Sequence, residues 1–429
     1  AVSREERRVT EHHDVRSTPG PRRPDHRVLL PDEKEKGERD DGRLTRGEEM
    51  LLAGLCSIYA LRIVGMYLVL PVLSPYANTL RGATSLLTGV SLGAYGLSQG
   101  LLQIPFGHLS DRIGRKRAIA LGILLFTAGS VVSALARDIR VLIAGRLLQG
   151  SGAVAAAVVA LIADLTRPVV RTQAMARVGV WLGASFAFGM AAGPPLAHRF
   201  GVPPLFWATA ICSFLGAIFF LFFVPEARTH GEEVHARAND LGWVLAQRPL
   251  LLLNLGTALL HATLTAIFVI LPFRLGRELG LEHLWKVTVP LVVVGLVVMA
   301  SVAHWADRRK QNETAFLAGA VLFVVACSLL AGLGQSLPGL IAGTVVFILA
   351  VACLEPALPA LTSRYAVGPH RGTAIGVFHS AQFLGSFVGG VLGGAYLKAD
   401  ARPLYLLLGM LVATWIWLFR RGGGLAPRS

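Results

Sequence analysis

The sequence predicts an all-α membrane protein of twelve transmembrane helices arranged as two six-helix pseudo-repeats. Three observations predict it. First, apolar runs long enough to match ~30 Å of hydrocarbon recur along the chain. The 429 residues are 53% hydrophobic and only 16% charged, where a soluble domain would be about one quarter charged. Second, the basic residues outside those runs concentrate on alternate loops. Third, short patterns recur about 200 residues apart, as in a molecule built from two parallel halves. His108-x-x-Asp111-Arg112 returns as His304-x-x-Asp307-Arg308, and Leu142-Ile143-Ala144-Gly145 returns as Leu340-Ile341-Ala342-Gly343. Arg171, Ala174, Gly189 and Gly193 return as Arg371, Ala374, Gly389 and Gly393.

Taken in order, residues 1–47 hold 12 Lys and Arg against 11 Asp and Glu, with Pro19-Gly20-Pro21 and no apolar periodicity. This is the composition of a disordered tail. No apolar segment follows its basic residues, so it does not read as a signal peptide. The expected crossings are 49–75, 85–106, 116–136, 141–165, 171–197, 203–224, 249–274, 285–305, 314–334, 338–362, 371–397 and 403–419. They group into an N-terminal bundle (48–224), a polar linker (225–247) and a C-terminal bundle (248–419), with 420–429 as a second tail. Beyond residue 47, 18 Lys and Arg fall on the side of the 107–117 stretch and 9 on the other, with Arg62 and Arg146 inside crossings. The richer side is cytoplasmic by the positive-inside rule, and an even number of crossings places both termini there. The net charge of +15 belongs mostly to these loops, so nucleic acid binding is not indicated. Cys56, Cys212, Cys327 and Cys353 lie in apolar runs without C-x-x-C spacing and read as packing residues, not as disulfides or a zinc site.

Between the apolar runs 87–106 and 118–135 stands Gly107-His108-Leu109-Ser110-Asp111-Arg112-Ile113-Gly114-Arg115-Lys116-Arg117. Too short and too charged to cross a membrane, it reads as a tight hairpin loop. Gly107 and Gly114 supply unusual backbone angles, and Asp111 is placed to cap the second helix. This pattern resembles the signature loop between helices 2 and 3 of the major facilitator superfamily of secondary transporters. The resemblance implies the major facilitator fold and rocker-switch exchange around a midplane cavity. It also implies a conformational latch made of Gly107, Asp111, Arg112, Gly114, Arg115 and Lys116, with Asp111 meeting the start of the eleventh crossing near Gly372-Thr373.

Arg146 and Gln149 share one face of the fourth crossing. An intramembrane Arg costs ~2.5–3.5 kcal/mol on insertion scales and therefore reads as functional, unless its guanidinium reaches the external headgroups. Arg146-x-x-Gln149-Gly150 resembles the superfamily's helix-4 motif, implicated in proton coupling. Gly189-x-x-x-Gly193-Pro194 in the fifth crossing resembles its helix-5 motif of drug:proton antiporters, with Ala197-His198 replacing the usual trailing glycines. Simple close helix packing would use the same glycines. In the first crossing Tyr59, Arg62 and Met66 form one stripe, a candidate cavity face. Together with Gln103-Ile104-Pro105-Phe106-Gly107 and Ser151-Gly152-Ala153, this run resembles the YajR-type branch of bacterial drug:proton antiporters. That branch carries a soluble C-terminal domain, whereas ten residues follow Phe419 here, so nothing that domain regulates is carried over.

Proton handling needs a titratable group near the cavity. Glu355 is the one carboxylate well inside a crossing, and His261 and His379 are the imidazoles at comparable depth. Each could instead make a purely structural contact. Asp111 and Asp164 lie nearer the cytoplasmic face and read as gate residues. Gln103, Gln149 and Gln382 are the few polar groups expected in an otherwise apolar cavity.

The function expected is proton-coupled efflux of lipophilic or small organic compounds across a bacterial inner membrane. It would need a small-molecule substrate, protons and a lipid bilayer, no cofactor beyond the proton gradient, no metal and no second copy of the chain. An exporter of a metabolite such as an amino acid or sugar is the alternative, and a non-transporting membrane sensor a further one. No nucleotide loop, metal cluster or nucleophile motif marks an enzyme.

Overall fold

The computed structural model describes residues 46–421, apart from 155–156, 159–160, 163–164, 167–169, 225–237, 281–282, 310 and 367–369. In a bilayer every backbone N–H and C=O must find a partner within the chain, which favours helices throughout. Among the described residues no β-strand occurs, only an isolated bridge between Arg81 and Asp138. The helices are α1 (Arg46–Ala77), α2 (Ser85–Ile113), α3 (Arg115–Ala134), α4 (Ile139–Ser151), α5 (Arg171–Phe200), α6 (Val202–Phe223), α7 (Ala238–Ala246), α8 (Arg248–Glu278), α9 (Trp285–Arg309), α10 (Asn312–Leu333), α11 (Leu337–Tyr365), α12 (Arg371–Ala395) and α13 (Arg402–Arg421).

Ten of these are long and apolar enough to cross a membrane. The other two expected crossings fall short of that measure for separate reasons. Helix α2 has 29 residues, but its composition is diluted by glycine, serine and glutamine. Helix α4 stops at Ser151, and much of 152–166 lies outside the described residues. The fold is the expected all-helical one, and these helices are consistent with twelve crossings.

The structure corrects the hairpin. No loop spans 107–117. Helix α2 continues through Ile113, α3 starts at Arg115, and the whole turn is Gly114 at φ +92°. A helix can run on past the apolar segment because its last charged turns meet water rather than lipid. Asp111 therefore lies in the last turn of α2 and does not cap α3, whose N-cap is Gly114. The side chain of Asp111 lies outside the described residues, as does Asp164. Gly107 sits inside α2 facing open space, so it serves no close approach in this state.

Two further boundaries differ from expectation. The fourth crossing breaks at Gly152, whose carbonyl oxygen accepts from the Arg62 side chain and from the backbone N–H of Val154. The polar linker ends in helix α7, where Val244 is fully buried and Trp243 stacks on His370 at 4.3 Å.

Helices α1–α6 pack among themselves, with α1 against α5 and α6, and α3 between α4 and α6. In the second set α8 lies on α12, and α10 between α11 and α13. The sets meet chiefly through α2 and α12, with α1 against α8 and α5 against α9. Small residues make the α2–α12 approach possible: a Cβ on Gly89 or Gly93 would run into the backbone of Gly390 or Phe387. This contact runs from the N-terminal end of α2 to Gly100, which faces Ser380 and Leu384. Towards the Gly114 turn it ends, and Gly107 and Gly372 both face open space. The α2–α12 contact is thus close over the N-terminal part of α2 and open at Gly107 and Gly372.

Candidate functional site

Two polar clusters sit inside the helical sets. The first gathers around Tyr95 of α2. Arg62 of α1 and Arg146 of α4 are 4% and 3% exposed. The Arg146 guanidinium lies 5.2 Å from the Tyr95 ring centroid, and Arg62 donates to the Tyr95 hydroxyl at 3.4 Å. Arg62 also donates to the Gly152 carbonyl at 2.6 Å and lies 4.9 Å over the Phe126 ring. Arg146 donates to Gln149 Oε1 at 2.8 Å, and Gln149 Nε2 donates to Ser130 Oγ at 2.8 Å. Arg146 is thus a fully interior residue and does not reach the headgroups. Neither arginine has an ion-pair partner among the described residues, and both Nε atoms lack an acceptor. Two buried guanidiniums held by ring faces, an amide and a carbonyl are only partly compensated.

The second cluster is drawn from three helices of the other set: His261 of α8, Glu355 of α11, and His379 and Gln382 of α12. His261 Nδ1–H donates to the Thr257 carbonyl at 3.0 Å, which leaves Nε2 as the acceptor of the neutral ring. Gln382 Nε2 donates to that nitrogen at 2.8 Å and to Glu355 Oε1 at 3.3 Å. Its Oε1 accepts from His379 Nδ1 at 2.9 Å. Glu355 Oε2 stands 3.5 Å from His261 Nε2. One amide therefore bridges two imidazoles and a carboxylate. A proton added at His261 Nε2 would be met directly by Glu355, turning a neutral contact into an ion pair. The Glu355 side chain is 37% exposed although it lies well inside α11. Helix α12, which carries His379 and Gln382, also packs on α2 of the other set.

The remaining expected residues are more scattered. Tyr59 and Arg62 line a void of about 10 Å³ enclosed by the first set, with Ile119, Val154 and Phe220. That is about enough for one water molecule. Met66 is half-buried on the same helix. Gln103 is buried on α2 with its Oε1 unpartnered, as is that of Gln99, which sequence reasoning missed. Gly189 and Gly193 let α5 touch α1, where added Cβ atoms would meet the backbone at Val64 and Leu68, and Pro194 is buried beside them. Arg112 is exposed, and Arg115 and Lys116 are half-buried beside the Gly114 turn. Tyr95 was also missed, though a lone phenol in a run of small residues was a signal. Among the described residues no group of three or more His, Cys, Asp or Glu is placed to hold a metal.

Comparison with known proteins shows the family of the chain. The model of the Major Facilitator Superfamily matches residues 55–314 and 255–428. The chain is 40% identical over 384 residues to the inner membrane transport protein YajR of Escherichia coli (strain K12), covering 88% of this chain and 84% of that one. It is 24% identical over 378 residues to Multidrug resistance protein 2 of Bacillus subtilis (strain 168), covering 83% and 90%. Among solved structures, the nucleoside transporter NupG superposes with a TM-score of 0.70 at 13% identity, covering 86% of this chain and 99% of that one. At that identity the likeness concerns the fold.

Proposed function

This chain belongs to the Major Facilitator Superfamily, a family of multi-pass membrane transporters, and from that premise we propose that it exports lipophilic or small organic compounds in exchange for protons. The single observation that carries the proton coupling is the bridge of Gln382 between His261, His379 and Glu355. It holds a carboxylate and two imidazoles where a proton gained or lost changes the charge of the cluster. A buried ionisable group inside a membrane is costly and is kept where it moves protons or substrates.

The basic hairpin end is assigned to the cytoplasm. On this reading the parted end of the α2–α12 contact faces the cytoplasm, as it would in an inward-open state. In the outward-open state Asp111, Arg112, Arg115 and Lys116 would close against the start of α12, latching the cytoplasmic end. The direction of transport, outward, is supported by the helix-5 glycines Gly189 and Gly193 with Pro194, and by the resistance name of the Bacillus subtilis relative. A second reading, export of a carboxylate-bearing metabolite such as an amino acid, is favoured by the uncompensated guanidiniums of Arg62 and Arg146.

The test is flux in proteoliposomes under an imposed pH difference, with a panel of lipophilic dyes and amino acids. Uphill movement of a dye against the proton gradient, lost in Glu355→Gln, supports the proposal. Movement indifferent to the gradient overturns proton coupling, and movement of amino acids alone selects the second reading.

A further inference from the structure

A second polar pocket lies apart from both clusters, at the end of the molecule away from the Gly114 turn. The last turns of α8, the turn after α10 and the connection from α12 to α13 close around it. It is a partly open cleft of about 200 Å³, room for several water molecules or one compact ionic group. Three cations line it: Arg274, Arg277 and Lys398.

They are not equivalent. Arg274 is committed to the fold, donating to the carbonyl oxygens of Gly334 at 2.6 Å and Gln335 at 2.5 Å, with Glu278 at 3.5 Å. Arg277 lies 6.0 Å from the Phe273 ring. Neither Arg277 nor Lys398 has a carboxylate partner among the described residues. Of the nearby acids, Glu278 is engaged by Arg274, and Asp400 accepts from Gln335 and from the backbone N–H of Arg402. Among the other polar residues around it is Tyr405, which is 1% exposed. Its hydroxyl is buried with no hydrogen-bond partner, and the residue is one of those around the pocket. A buried hydroxyl left unpaired is a cost that folding does not recover, and an acceptor oxygen in the pocket would remove it.

We propose that this pocket binds a compact oxyanion, a phosphate or carboxylate group, held by Arg277 and Lys398 with the Tyr405 hydroxyl donating from its floor. Cations without a carboxylate partner, a donor without an acceptor and a cleft of matching volume meet at one place, and an oxyanion satisfies all three. The same chemistry is offered by the headgroup of an anionic phospholipid and by a soluble anion.

The experiment follows thermal unfolding of the full chain in neutral detergent at constant ionic strength. Inorganic phosphate is titrated in one arm, and phosphatidylglycerol against phosphatidylcholine in the other. A saturable rise in melting temperature is expected. A response to phosphate identifies a soluble-anion site, and one to phosphatidylglycerol alone a headgroup site. Combined Arg277→Gln and Lys398→Gln should weaken the apparent affinity at least about tenfold. Tyr405→Phe should leave the unliganded melting temperature unchanged or higher, because the lost hydroxyl had no partner, and still weaken the ligand's effect. No saturable shift with either probe, or shifts indifferent to these variants, would overturn the site.

Discussion

Gln382 has one acceptor oxygen and two amide hydrogens, and the second cluster uses all three. Leucine at this position would keep the volume and leave His261 Nε2 and Glu355 Oε1 without their donor. Gln382→Leu should cost about 1–3 kcal/mol of stability, the range for leaving a buried polar partner unmade, read as a lowered melting temperature. It should also alter the pH dependence of transport, which a purely structural role would not change; an unaltered pH profile would place proton handling elsewhere. Tyr95 separates two contributions in the same way. Tyr95→Phe keeps the ring facing Arg146 and loses only a long 3.4 Å bond from Arg62, so its effect on stability should be small. Tyr95→Leu removes the ring, and a desolvated cation–π contact is worth about 2 kcal/mol or more. Equal melting temperatures for the two variants would show that the ring contributes nothing beyond its bulk.

At the scale of the helix, the α2–α12 contact is set by residues too small to keep the backbones apart. A Cβ on Gly390 would stand 2.6 Å from the Gly89 carbonyl oxygen and 2.8 Å from the Gly93 nitrogen, whereas one on Gly376 meets only Ile104 at 3.9 Å. Gly390→Val should therefore part the helices and lower the melting temperature by several degrees, while Gly376→Ala should be neutral or slightly stabilising in helix propensity. The reverse order would mean that the two helices do not approach here. This contact also explains what the sequence left illegible. Hydropathy located the apolar helices to within a few residues, because a crossing must be apolar over a fixed length. It could not place the turn at Gly114, since the charged last turns of α2 lie beyond the apolar segment and helix or loop would satisfy them equally. Nor could it find the break at Gly152, whose carbonyl is committed to Arg62, 90 positions away. His261, Glu355, His379 and Gln382 were each visible as polar residues on apolar helices. Their meeting was not, because the rotation of α8, α11 and α12 about one another is decided by packing.

Across the whole molecule, one large apolar core joins both helical sets, from Leu73, Leu92 and Phe206 to Ile267, Phe273 and Phe347. The hairpin side of the first set holds a separate core that includes Leu52, Phe106, Ile119 and Phe220. A continuous core resists opening, and separate ones allow the parted end to close by rigid-body rocking. If exchange works this way, the Gly114 end must shorten its span when the other end opens. Gly107 and Gly372 are suited to report it, because both face open space and a new side chain there meets nothing within 4 Å. Spin labels on Gly107→Cys and Gly372→Cys, in a background with Cys212 replaced by serine, should give a long distance in the state described here. Raising the proton concentration or adding transported compound should populate a second, shorter distance. Asp111→Asn, which removes the charge assigned to the latch, should deplete that shorter population and abolish flux without preventing membrane insertion. Two populations that ignore pH, substrate and Asp111 would leave the rocking motion without its latch. A single distance under all conditions would end the rocker-switch reading, since a carrier that never closes its Gly114 end cannot alternate access.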